Sequence, residues 1–253
     1  MLRFPLLALL ALLVLAGTAR AADPDALWKI THDKCVPDQE EHGNPAPCTV
    51  VDLQGGAERG YVILKDLIGD TQYLLMPTAK ITGIESPELL APGTPNYFAE
   101  AWQQRHFTED AAKHALPRNA LSLAVNSIFG RSQNQLHIHI DCIAPAVRDA
   151  LEREQASIGE SWAPFPVPLA GQHYRAMRVA GDTLDGADPF KLLADGIPGA
   201  REAMGKETLV VAGIVLASGK PGFVILADQA DAATGDRAAG EDLQDHSCAV
   251  AQQ

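Results

Sequence analysis

Two histidines, His137 and His139, sit one residue apart in the run LHIHIDC, residues 136–142. Side chains two apart in a strand share a face, so both imidazoles meet one surface while Leu136, Ile138 and Ile140 point into a core. Such a pair has three readings: two surface histidines without a role, two ligands of a metal site, or a nucleophile at phosphorus with a phosphate-binding neighbour. The preceding loop decides among them. Asn126, Gly130, Arg131, Ser132, Gln133 and Asn134 supply amide, guanidinium, hydroxyl and backbone N–H donors and no acid, which suits a phosphate. A metal site gathers carboxylates instead. Asp141 shares the histidine face, but no convincing third ligand accompanies it, so neither metal nor cofactor is expected. Lys80, Arg131, Arg175 and Arg178 are the candidate cations for a transferring phosphoryl group. His173 is a candidate leaving-group acid, weaker than a plain surface reading. His32, His42, His106, His114 and His246 show no partner spacing and read as structural.

The elements that must hold these residues follow from apolar periodicity. Residues 61–66 (YVILKD) and 72–77 (QYLLMP), separated by LIGDT, predict an antiparallel hairpin. Residues 96–115 predict a helix, with Tyr97, Phe98, Ala101 and Trp102 on one stripe. Residues 121–126 and 136–142 predict two strands, and residues 145–158 a helix opened by Pro145. The proline-rich stretch 161–171 divides the chain into two parts. Beyond it come a helix near residues 189–195 and a second strand pair, TLVVAGIVLAS and GFVILAD. The two hairpins resemble each other faintly and suit halves of one extended sheet. The fold class is α+β.

The chain has 253 residues, is 47% apolar and 21% charged, and carries a formal charge of −12. Such a balance fits a folded protein and argues against a nucleic-acid partner, whose phosphates need clustered Lys and Arg. Residues 1–21 combine Arg3, an apolar run from Phe4 to Gly17 and a small-x-small ending at Ala19 and Ala21, the pattern of an export signal. Cleavage after Ala21 removes two arginines and no acid, taking the charge to −14. An uncleaved membrane anchor is the rival reading of the same segment. Export places Cys35, Cys48, Cys142 and Cys248 in an oxidising compartment, where four cysteines allow three pairings. Cys35–Cys48 and Cys142–Cys248 are favoured.

The histidine run and its loop resemble the histidine-triad (HIT) superfamily of nucleotide hydrolases and transferases. A longer likeness is to the bacterial CDP-diacylglycerol pyrophosphatase family. It is carried by NPAPC, GYVILKDLIGDTQYLLMPTAKITGIESPELL, TPNYFAEAWQQR, SLAVNSIFGRSQNQLHIHIDCI and the C-terminal DHSC. The resemblance implies a HIT-like antiparallel sheet with helices packed on one side, its catalytic half spanning residues 22–160 and residues 161–253 completing the same domain. It implies that His137 is the nucleophile, that His139 binds the transferring phosphate, and that Asn126 matches the family's site asparagine. Ser132 or Gln133 would lie beside the phosphate. Gln135 stands where the triad's first histidine is expected, and it can hydrogen-bond but not titrate. The implied activity is hydrolysis of CDP-diacylglycerol, at the membrane surface outside the cytoplasm, to CMP and phosphatidate. Trp162, Phe165, Pro166 and Leu169 are the expected lipid-facing patch. The competing expectations are a non-catalytic exported protein that binds nucleotide or lipid, and a metal-dependent phosphohydrolase using the same histidines.

Overall fold

The computed structural model describes residues 23–252, so the export segment expected at residues 1–21 lies outside the described residues. The apolar runs become strands: β1 (Val50–Asp52), β2 (Tyr61–Lys65), β3 (Tyr73–Pro77), β4 (Leu121–Val125), β5 (Ile138–Cys142), β6 (Ala163–Pro164), β7 (Arg175–Ala180), β8 (Glu207–Val215) and β9 (Pro221–Gln229). All nine join one antiparallel sheet in the order β1-β2-β3-β5-β4-β8-β9-β7-β6. Both expected hairpins form, β2 with β3 and β8 with β9, and the β4–β8 ladder places them in the same sheet. The proline-rich stretch lies between two parts of the chain that share this one sheet. It supplies the edge strand β6, where a missing proline N–H leaves no ladder bond unmade.

Among the described residues, six α-helices accompany the sheet: α1 (Ala26–Ile30), α2 (Val36–His42), α3 (Tyr97–Gln103), α4 (His106–Ala112), α5 (Pro145–Arg153) and α6 (Pro189–Gly196). A π-helical turn, Thr31–Cys35, joins α1 to α2. The helix expected over residues 96–115 is two helices, because the chain leaves helical geometry at Gln104. Asn96 caps the first of them, its side-chain oxygen accepting from the Ala99 N–H at 3.2 Å. The helix expected over residues 145–158 ends at Arg153 and continues as a 3₁₀ turn, Gln155–Ser157.

One face of the sheet packs Ile63, Leu75, Leu123, Ile138, Ile140, Val211 and Ile225 beneath Tyr97, Phe98 and Trp102 of α3 and Phe190 and Leu193 of α6. The opposite face carries two separate apolar clusters. At one, Val62, Leu74 and Met76 meet the α1–α2 arm; at the other, Ala124, Val210, Val224 and Leu226 meet Val147 and Leu151 of α5. Helices therefore cover both faces, and the one-sided arrangement expected from the resemblance is corrected. The reason is compositional: central strands that are apolar on both faces need cover on both. Both favoured disulfides form, Cys35–Cys48 and Cys142–Cys248, and there are no free cysteines among the described residues. The first links the π-helical turn to the loop before β1. The second links β5 to the C-terminal segment across a sequence separation of 106, a closure worth about 4–5 kcal/mol on the chain-entropy account.

Candidate active site

Pairing register explains where the histidines point. His139 stands opposite Leu74 on β3 and Ala124 on β4, so its ring lies on the face with the two apolar clusters, between them. His137 precedes β5 and shares that face by period two. The rings are tilted at 65° with centroids 4.9 Å apart. Both are buried, with 8% of His137 and 4% of His139 exposed.

His137 Nδ1 lies 2.7 Å from the main-chain oxygen of Gln135. A carbonyl only accepts, so Nδ1 carries the proton and the Nε2 lone pair is free. Burial lowers the His137 pKa and outweighs this hydrogen bond and the nearby Glu241 and Asp66, which raise it. The ring is therefore neutral at pH 7 and available as a nucleophile. Burial and the neighbouring His137 hold the His139 pKa well below the ordinary histidine range. Neither nitrogen of His139 has a hydrogen-bond partner. A buried ring in that condition is an open site for a polar ligand atom.

Acids surround the pair, among them Glu241, which the sequence analysis does not single out. Asp141, with 0% exposed, receives the Thr71 hydroxyl at 2.6 Å, the Cys142 N–H at 2.8 Å and His246 Nδ1 at 2.7 Å. Burial pushes its carboxyl up against these three donors. Bonding to Asp141 raises the His246 pKa, so that pair holds its proton on the imidazole. Glu241, on the 3₁₀ turn Gly240–Leu243, places Oε1 3.5 Å from both His139 Nδ1 and His246 Nε2. Asn126 fixes this glutamate twice: its Nδ2 donates to Glu241 Oε2 at 3.0 Å, and its Oδ1 accepts from the Glu241 N–H at 3.1 Å. Gln244 Nε2 donates to the His139 carbonyl at 3.3 Å. Among the described residues, no group of three His, Cys, Asp or Glu side chains is arranged to hold a metal ion.

The structure brings His137, His139, Asn126 and Gln135 together and puts the other candidates elsewhere. Gln135 is buried with its Nε2 bonded to the carbonyls of Pro77 and Ala79 at 2.8 and 3.0 Å, and it meets His137 only through its own main-chain oxygen. Both Arg131 guanidinium nitrogens bind Glu85 at 2.6 Å. Gln133 ties the N-terminal arm, accepting from the Leu27 N–H and donating to the Asp23 carbonyl. Ser132 is exposed. Lys80 lies over the Trp28 ring and lines an 840 Å³ cavity beneath the arm with His32, Arg59 and Tyr97. Arg175 and Arg178 stand on β7, four strand positions from β5, or roughly 19 Å at strand spacing. In the expected lipid-facing patch, Phe165 and Leu169 are buried, and the Trp162 indole donates to the Leu192 carbonyl at 2.9 Å. Among the described residues, the large apolar side chains that are exposed are Leu67, Ile68, Ile128, Phe129 and Val215.

Glu241 went unrecognised, Asp141 was weighed only as a metal ligand and His246 was read as structural, because 105 residues separate Asp141 from His246 and no local spacing joins them. A signal existed in the cysteines: pairing Cys142 with Cys248 brings Asp141, its neighbour, close to His246, two residues before Cys248.

Comparison with known proteins identifies a family. A family model described as CDP-diacylglycerol pyrophosphatase matches residues 22–252. A curated relative from Yersinia pestis, named CDP-diacylglycerol pyrophosphatase, is 43% identical over 249 residues, covering 97% of this chain and 93% of its own.

Proposed function

The chain belongs to the CDP-diacylglycerol pyrophosphatase family, and from that premise we propose that it hydrolyses CDP-diacylglycerol to CMP and phosphatidate by way of a nucleotidyl-histidine on His137. The proposal casts the site as a histidine-triad centre with glutamine at the first position. His137 Nε2 attacks the phosphorus bonded to the cytidine ribose. The bond from that phosphorus to the bridging oxygen breaks, and phosphatidate leaves with the electron pair. Water then attacks the same phosphorus, the P–N bond breaks, CMP departs, and the imidazole is restored. Two displacements replace one more difficult step.

The observation that carries this reading is the His137 Nδ1 bond to the Gln135 carbonyl, which fixes the tautomer that leaves Nε2 unprotonated. The unpartnered nitrogens of His139, in the adjacent ring, suit a non-bridging oxygen of the transferring group. Two disulfides fit an exported protein, and we place the reaction at the membrane surface facing the periplasm, where the lipid headgroup is presented. No helix among the described residues is long and apolar enough to cross a membrane.

The test is to quench the protein during turnover of CDP-diacylglycerol and search for a CMP adduct. An adduct on His137, with turnover lowered about 10⁴-fold or more in His137→Ala, supports the reading. An adduct on another residue, or full turnover in His137→Ala, overturns it.

A further inference from the structure

A diphosphate at this site lies in the field of Asp66, Asp141 and Glu241, the carboxylates whose charge acts on the histidine pair and His246. Three acids repel such a substrate unless a cation offsets them. Three cations on nearby segments are committed. Arg131 is paired with Glu85, Lys80 covers Trp28, and the Lys65 ammonium donates to the Asp66 and Gly69 carbonyls within its own hairpin.

We propose that His246 is the cation that receives the diphosphate of the substrate, a substrate-positioning residue held in place by Asp141. The inference rests on the reading of His137 as nucleophile and deepens it. Geometry supports it at three points. The Asp141 bond at Nδ1 fixes the ring and directs Nε2 toward Glu241. One carboxylate oxygen, Glu241 Oε1, already lies 3.5 Å from His246 Nε2 and 3.5 Å from His139 Nδ1. A phosphoryl oxygen, similar in charge and size, takes the same two contacts when Glu241 gives way. The hairpin turn closes over the other side of the ring: the Asp70 N–H donates to the His246 carbonyl at 3.1 Å, and a Cβ at Gly69 would come within 2.3 Å of the His246 Cβ. Glycine at position 69 is thus what lets the turn pack against His246.

The groups facing His246 are Asp141 from β5, Glu241 and Asp245 from its own segment, Asp66 from the hairpin, and His139. The four acids favour the imidazolium and His139, being neutral, opposes it little. Protonated His246 and neutral His137 together require a bell-shaped pH profile for kcat/KM. His137, with a lowered pKa, sets the acid limb, and His246, with a raised one, sets the alkaline limb.

The test measures hydrolysis of CDP-diacylglycerol in detergent micelles against pH for the wild type, His246→Gln and His137→Ala. Glutamine keeps a donor toward Asp141 but carries no charge. Expected for His246→Gln is a KM raised about tenfold or more, a kcat within about threefold of wild type, and loss of the alkaline limb. An unchanged KM with the alkaline limb intact, while His137→Ala is inactive, overturns this inference alone. Turnover that survives His137→Ala overturns the parent reading and this one with it. Should His246→Gln fail to fold, the wild-type profile decides: KM that rises with pH above the ordinary histidine range supports the role, and KM flat to pH 9 overturns it.

Discussion

His137 needs little from its surroundings to serve as a nucleophile. A single main-chain carbonyl selects the tautomer, and burial keeps the ring unprotonated. That arrangement also accounts for the glutamine at position 135, since the contact to His137 comes from the backbone of residue 135 and not from its side chain. The side chain performs a different task, binding two carbonyls at the end of β3. Gln135→Ala should therefore cost about 2–3 kcal/mol of stability for two buried hydrogen bonds, while kcat falls less than about tenfold. Denaturant unfolding and turnover on the same preparation check both halves of that expectation. The residue scale was the most legible in the sequence: period-two spacing alone put both imidazoles on one face, because a strand leaves them no alternative. Asp141 was legible on the same strand face, but Glu241 was not, because it arrives from a segment more than a hundred residues away. The cations were misleading for a related reason, in that sequence gives a charge but not its partner, and Glu85 had already claimed Arg131.

At the scale of elements, the loop 126–136 holds structure together more than it offers donors. Its Arg131 side chain is mostly buried against Glu85, its Gln133 and Asn134 fasten the start of the N-terminal arm, and its Ser127 bonds the segment before Gly240. Arg131→Ala should lower stability by about 1–3 kcal/mol, allowing for the partly exposed partner, and should leave KM within about threefold of wild type. A large rise in KM at unchanged stability would return Arg131 to the substrate. The hairpins were readable from their apolar runs, and so was their union in one sheet. The break between α3 and α4 was not, because Phe107 continues the helical stripe across it. The Cys142–Cys248 link is the element-level device of the site, joining the strand of the two imidazoles to the segment of His246. Cys248→Ser should cost up to about 4–5 kcal/mol and raise KM as His246→Gln does. Thermal unfolding and steady-state kinetics together would show whether the two effects travel with that one bond.

On the scale of the whole molecule, the sheet is apolar on both faces, and the histidine pair occupies a polar seam between two apolar clusters. That seam makes stability sensitive to acid. His137 and His139 have folded pKa values below the ordinary histidine value of about 6.5, so the unfolded chain binds more protons in the window beneath it. Their contribution is present above about pH 6.5 and declines as pH falls toward the lowered folded values. His246 has the opposite sign. Its folded pKa is raised, so its contribution is complete below about 6.5 and fades as pH rises through the folded value. Replacing His139 with Gln should therefore flatten the acid side of a stability-against-pH curve and leave the alkaline side alone, as chemical denaturation from pH 4 to 9 would reveal.

The last few residues of the chain carry a duty out of proportion to their number. Cys248 comes within six residues of the C-terminus, and the imidazole two places before it reaches Asp141 only when the terminus has folded back onto β5. The Cys142–Cys248 bond holds that contact, and such a bond persists where thiols are oxidised. The centre is thus complete only once the Cys248 segment has docked on β5; before that contact the two imidazoles of β5 stand without the Asp141–His246 pair.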